Sequence, residues 1–240
     1  MEYMSANRLP QRLKDIADGL GMAQPTALRY LCTLCDQGYV YQDAQSGMYA
    51  MTWKVCRLGW SLESNLVLKS MAGPLLNEFA NTYNIGVLLA VEREGTLVYL
   101  DLAGAPSGNV DTMLRIGKDA PMHSTSSGKI LLSAMTPLQL DRVIERHGLV
   151  RLTKKTITDR SQLEQELEHI RENGYALDNE ECEIGHRCVA VPLYDYTGKV
   201  VAAVSVFDSV DKLTDEYIGD TILPALKALA KESSFRMGNA

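Results

Sequence analysis

The sequence predicts an α+β chain with a small N-terminal part and a larger mixed part, on three observations. Apolar residues recur at helical spacing between glycine stops as far as Gly38, and two short aromatic strand-like runs follow. From Gly86 onward, period-two or continuous apolar runs alternate with helical patterns. A length of 240 residues with 46% hydrophobic and 22% charged residues is enough for a sizeable core, which excludes a disordered or fibrous chain.

In the first part, Leu13, Ile16, Ala17 and Leu20 mark a helix that Gly21 stops. Pro25 suits the first turn of the next helix, where its missing N–H is not needed. That helix, Thr26 to Gln37, is expected to bury Leu28, Leu31, Leu34 and Cys35 and to end at Gly38. Tyr39 to Tyr41 and Met48 to Met51 then read as strands around a polar turn, Gln42 to Gly47. Helix, tight turn, helix and two-stranded wing is the order of a winged helix-turn-helix over residues 1–52, whose second helix enters the major groove of double-stranded DNA. On that helix Thr26, Arg29, Tyr30 and Thr33 lie away from the expected stripe. Gln24, Thr26, Arg29 and Tyr30 are the candidate DNA contacts, since arginine serves phosphate or a guanine edge and hydroxyls serve phosphates.

Val55, Leu58, Leu62 and Leu66 mark a linker helix over residues 53–68, a candidate meeting place for two copies, and residues 69–240 form the second domain. There, Leu75, Leu76, Phe79 and Tyr83 predict a separate helix, followed by strands Gly86 to Glu92 and Gly95 to Asp101 joined at Glu94-Gly95. Thr136-Pro137 starts one helix, and Ser161 with Glu164 reads as the capping box of another. Strands Tyr175 to Glu180, Arg187 to Tyr194 and Lys199 to Phe207 precede a closing helix from Thr214 to about Arg236.

Charge and composition narrow the function classes. Residues 1–60 carry a formal +1 and residues 61–240 carry −7, so a DNA-facing head on an acidic body is compatible with the overall −6. A head with only Arg8, Arg12, Lys14, Arg29, Lys54 and Arg57 neutralises few phosphates, so a homodimer or homotetramer is expected to share the binding. No apolar run approaches the ~20 residues of a membrane span, and the start lacks the pattern of a signal peptide. A cytoplasmic protein with no membrane partner and reduced thiols is expected, the five cysteines at 32, 35, 56, 182 and 188 forming no disulfide framework. Neither a cofactor nor a metal is expected. Cys32-x-x-Cys35 falls within a helix without a second ligand pair, and Gly128-Lys129 lacks the first glycine and the magnesium hydroxyl of a phosphate-binding loop.

Pro121 to Gly128 is a hydroxyl-rich turn leading into a helix expected over Lys129 to Ala134. Amides free at a helix N-terminus, aided by the helix dipole, favour a carboxylate or phosphate; the plainer role for Ser124 to Ser127 is capping alone. Strand alternation puts Cys188, Ala190 and Pro192 on one face, and Ala203, Ser205 and Phe207 on one face of the next strand, so Cys188 and Ser205 can line one pocket walled by Phe207. Cys188 as a small core residue is the bland reading. The rival enzymatic reading is a Ser-x-x-Lys hydrolase using Ser126 and Lys129, although the companion motifs of such enzymes are missing.

Two stretches resemble the IclR family of bacterial transcription regulators. They are Gly117-Lys118-Asp119-Ala120-Pro121-Met122-His123-Ser124-Thr125-Ser126-Ser127-Gly128-Lys129, and Gly174 to Glu181 continuing through Gly185-His186-Arg187-Cys188-Val189-Ala190-Val191-Pro192. In the head, Gly21 through Arg29-Tyr30-Leu31, then Thr33-Leu34 and Gly38-Tyr39-Val40, fall in the family's pattern. The resemblance implies an oligomeric DNA-binding repressor or activator with a C-terminal GAF-like α/β domain that binds a small carboxylate effector. It places the effector on the backbone amides of Ser126 and Ser127 and on Asp178, Cys188 and Ser205, with Phe207 where some members carry a second serine. Losing that serine for an aromatic ring predicts a larger or more apolar ligand than a two- or three-carbon acid. Two departures stand out: a stub, Glu2 to Ser5, replaces the usual full first helix, and Pro25 replaces a serine and its phosphate contact.

Overall fold

The computed structural model describes residues 1–7, 9–55, 63–104 and 119–239, with side chains of 63–67 outside the description. It divides into two compact units, Met1–Leu66 and Val67–Ala240.

The first unit contains α1 (Glu2–Ala6), α2 (Leu13–Gly19), α3 (Gln24–Asp36), β1 (Val40–Gln42) and β2 (Tyr49–Met51). Gly21 and Gly38 take positive φ, 61° and 70°, which lets the chain leave α2 and α3 sharply. The wing is an antiparallel pair, and Tyr49 adds a bridge to Gln11. Met4, Ile16, Leu31, Val40 and Tyr49 form its core. The expected stripe on α3 needs one correction: Ala27 and Leu31 are buried with Leu34 and Cys35 beside them, whereas Leu28 is 39% exposed. Ala27 stands one full turn before Leu31, so it takes the inward position that Leu28 would have filled.

Among its described residues, the second unit is a six-stranded antiparallel sheet with helices on both faces. Its strands are β3 (Gly86–Arg93), β4 (Thr96–Ala103), β5 (Asp119–Ala120), β6 (Ala176–Asn179), β7 (His186–Tyr194) and β8 (Val200–Ser209), in the order β5-β4-β3-β8-β7-β6. Alternation sorts the side chains. Val87, Leu89, Val189, Val191, Val204 and Val206 join one core with helix α4 (Glu63–Tyr83) and the closing helix (Leu223–Arg236). Leu88, Tyr99, Ala190, Ala203 and Phe207 join the other, with helices α5 (Ser126–Ser133), α6 (Pro137–His147) and α7 (Arg160–Asn173).

Several boundaries differ from expectation. The two helices expected around the linker are, from Glu63 onward, one helix running through Pro74 to Tyr83; Leu58 and Leu62 lie outside the described residues. The N-cap of α7 is Asp159, whose carboxylate accepts from the Gln162 amide, while the Ser161 hydroxyl donates to Asp159 rather than forming a capping box. An aspartate two residues upstream is an equally good cap with a negative charge suited to the helix dipole, and it wins. The closing segment starts at its Thr214 cap and passes through a π-helical turn, Ile218–Ile222, before Leu223.

Candidate ligand pocket and DNA-reading helix

Helix α5 begins at Ser126, three residues earlier than expected, with Thr125 as its cap. The Thr125 hydroxyl accepts from the Gly128 amide at 3.2 Å and donates to the Pro121 carbonyl at 2.8 Å. Gly128 is required there, because a Cβ would sit 2.3 Å from the Met122 carbonyl oxygen. The Thr125 hydroxyl serves Gly128, and among the described residues the first-turn amides of Ser126 and Ser127 have no acceptor. The hydroxyl of Ser127, a residue only 2% exposed, is buried with no hydrogen-bond partner among the described residues. An unpaired buried hydroxyl costs about 1–3 kcal/mol, which a guest able to bond it recovers.

The pocket in front of this turn brings together Ser126, Ser127, Asp178, Cys188, Ser205 and Phe207. Sheet register explains the gathering: Asp178 pairs with Cys188, Cys188 with Phe207, and Leu88 with Ser205. Leu88, Tyr99, Thr125, Cys182, Glu183 and His186 complete the described lining. Of these, Tyr99 is the most informative residue that sequence reasoning missed. It is 6% exposed on β4, and burial holds its phenol protonated. Its two-residue offset from Leu97 on one strand face was the available signal, but the strand's position beside β3 was needed to bring it to the pocket.

The cavity volume is about 40 Å³. Since a buried water needs ~10–15 Å³ on this measure, the room is for about three water-sized groups. The Phe207 ring forms part of the wall of this pocket.

Asp178 is 4% exposed, and its Oδ1 accepts from the amides of Glu181 at 2.8 Å and Cys182 at 3.2 Å. Burial pushes its carboxyl up to about 7, against the lowering by those two amides and by the more distant Lys129. Protonated, it donates a hydrogen bond to an anion; ionised, it repels one. Cys182 is pushed up to about 12 by burial and by Asp178, and Cys188 is raised for the same two causes, so both thiols stay protonated and are poor nucleophiles.

Lys129, 1% exposed, points its ammonium at Glu181 (2.7 Å) and Glu166 (2.9 Å). No hydrogen bond joins it to Ser126 among the described residues, and an ammonium held by two carboxylates is no free base. The hydrolase reading has no support in this arrangement. Among the described residues no group of three His, Cys, Asp or Glu side chains is placed to hold a metal ion.

In the first unit, Gln24, Arg29 and Tyr30 are exposed on α3 and Thr26 is half-buried. Ala23 supplies no side-chain cap, Pro25 has no N–H, and the amides of Thr26 (2.9 Å) and Ala27 (3.1 Å) donate to the Ala23 carbonyl. The Arg29 guanidinium stands 5.9 Å from the Tyr30 ring centre, so the two form one cationic and aromatic edge.

A helix-turn-helix head and a sheet domain with a small pocket of apolar wall and a few polar groups define a DNA-binding regulator with a sensory domain. The comparisons make the family explicit: the IclR helix-turn-helix domain matches residues 1–44, and the C-terminal domain of the bacterial transcriptional regulator IclR matches residues 61–235. The chain belongs to the IclR family. It is 30% identical over 226 residues to the HTH-type transcriptional regulator KdgR of Escherichia coli, covering 94% of this chain and 85% of that one. The crystal structure of Thermotoga maritima IclR superposes with a TM-score of 0.81 at 30% identity, covering 96% of this chain and 92% of that one. A double mutant of the PobR inducer-binding domain from Acinetobacter, in complex with 3-hydroxybenzoic acid, has a TM-score of 0.64 at 30% identity, covering 69% of this chain and 96% of that one. Among the described residues no helix is long and apolar enough to cross a membrane.

Proposed function

We propose that the pocket at the start of α5 recognises a small carboxylate without transforming it, and that its occupancy controls operator binding by the winged helix. The observation that carries this reading is the orphaned hydroxyl of Ser127 beside the uncapped amides of Ser126 and Ser127. A carboxylate has two acceptor oxygens for such a set, and the helix dipole favours its charge. The hydroxybenzoate held by the PobR domain supports an acid ligand for this fold. Asp178, Cys188 and Ser205 would face the rest of the ligand, with Phe207 as the apolar wall.

On the DNA side, Gln24, Thr26, Arg29 and Tyr30 would meet the operator. Two or four copies acting in the cytoplasm would combine weak heads into a usable affinity. Ligand and DNA would be linked by unequal ligand affinity for the DNA-competent and incompetent arrangements. A thermal-shift panel of organic acids, followed by an operator mobility-shift assay with the best stabiliser, tests this. Stabilisation by an acid that also changes operator binding is expected; an acid that stabilises without altering DNA binding contradicts the regulatory link.

A further inference from the structure

Phe207 and Gly86 are cross-strand partners on β8 and β3. Phe207 is 3% exposed and lines the pocket, and its ring tip leans over Gly86 into the space a side chain would fill. A Cβ at position 86 would lie 2.3 Å from Phe207 Cζ, 2.4 Å from Cε1 and 2.9 Å from Cε2. Carbon atoms at rest stand ~3.5–4.0 Å apart, so even a methyl group at 86 forces the ring back by about 1 Å. Leu88, Tyr99 and Ser205 line the same cavity as the ring. The cavity volume is about 40 Å³, so a ring displaced by that much takes up a large share of it.

We propose that Gly86 and Phe207 act together as the size gate of the pocket, the ring excluding aromatic acids and the bare glycine letting it recline far enough to admit a two- or three-carbon oxo- or hydroxy-acid. This rests on the carboxylate reading and adds to it a ligand class and a residue, Gly86, outside the pocket lining. Ser127 and the first turn of α5 select the charge; the β3–β8 pair selects the length. Phe207→Ala exchanges the ring for a methyl group and opens the wall without touching the anion cradle. Gly86→Ala pushes the ring into the cavity and closes it. Because both acts run through one ring, the effect of Gly86→Ala disappears once the ring is gone.

The test is isothermal titration calorimetry on the full chain and on its Gly86→Ala, Phe207→Ala and doubly substituted forms, with glyoxylate, pyruvate, benzoate and 4-hydroxybenzoate, folding being checked by circular dichroism. The wild type is expected to bind glyoxylate or pyruvate and neither aromatic acid. Gly86→Ala is expected to weaken the small acid about tenfold or more. Phe207→Ala and the double variant are expected to gain the aromatic acids equally. An aromatic acid that binds the wild type as tightly as Phe207→Ala overturns the gate, as does a Gly86→Ala defect that persists in the double variant. If Gly86→Ala fails to fold, the gain of aromatic acids by Phe207→Ala still decides the matter. Small and aromatic acids binding all four proteins alike would sink the gate and leave the carboxylate pocket standing. Binding of none of the four acids to any form would sink both.

Discussion

The Lys129 ammonium, one turn into the helix that frames the pocket, is joined at 2.7 Å to Glu181, whose own amide donates to Asp178 at 2.8 Å. One buried cation thus anchors the β6–β7 turn, which is hydrogen-bonded to the pocket's acid on β6. The Glu181 carbonyl accepts from the Thr156 hydroxyl at 2.6 Å, which fixes the turn from the other side. Breaking such a pair by removing the cation alone costs about 3–5 kcal/mol, because Glu181 is left charged and buried. Lys129→Met is expected to lose that much by urea denaturation, and adding Glu181→Gln to recover part of it. Equal loss in the single and double variants would contradict the coupling.

Asp178 gives the pocket a pH dependence. Its folded value of about 7 lies above the ordinary carboxyl range, so the native state holds a proton the unfolded chain has lost. Its contribution to stability is therefore greatest below the unfolded value, falls as pH rises and levels off above about 7. Anion affinity follows the same proton and is expected to drop about tenfold per unit above pH 7. Asp178→Asn keeps an acceptor for the Glu181 amide and is expected to flatten both profiles. Calorimetric titrations at pH 6, 7 and 8 decide it, and an unchanged slope in the variant removes Asp178 as the source.

Leu31 and Leu28 give a contrast within one helix. Leu31 is 3% exposed and Leu28 is 39% exposed. Leu31→Ala is expected to cost about 2–5 kcal/mol and Leu28→Ala about 0.5 kcal/mol or less, read from thermal or chemical denaturation. Comparable losses would return Leu28 to the core.

Arg29 is the strongest candidate for base reading on α3. Arg29→Ala is expected to weaken operator binding by about 1–3 kcal/mol and to relax sequence preference at one position, measured by fluorescence anisotropy across a salt series. A loss that is uniform across sequences and lowers the salt slope by about one would make Arg29 a phosphate contact instead.

What could be read from the chain was local. Gly21, Pro25 and Gly38 punctuate α2 and α3, and period two sorted Cys188, Ser205 and Phe207 onto one side of the sheet, where the register puts them. What could not be read was competition and distance. Asp159 and Ser161 are both good caps, and the sequence offers the two starts side by side until the bonds to Asp159 are seen. Lys129 stands 37 positions from Glu166 and 52 from Glu181 in sequence, and nothing local in any of them announces an ion cluster. Tyr99 reaches the pocket only because β4 lies next to β3, and the seat of the Phe207 ring depends on what faces it across the strand, Gly86.

A crystal structure of the chain grown with the most stabilising organic acid reads the anion site directly. Carboxylate oxygens within about 3.2 Å of the Ser126 amide, the Ser127 amide and the Ser127 hydroxyl are the expected result. A ligand seated elsewhere, with the first turn of α5 still unengaged, would contradict it.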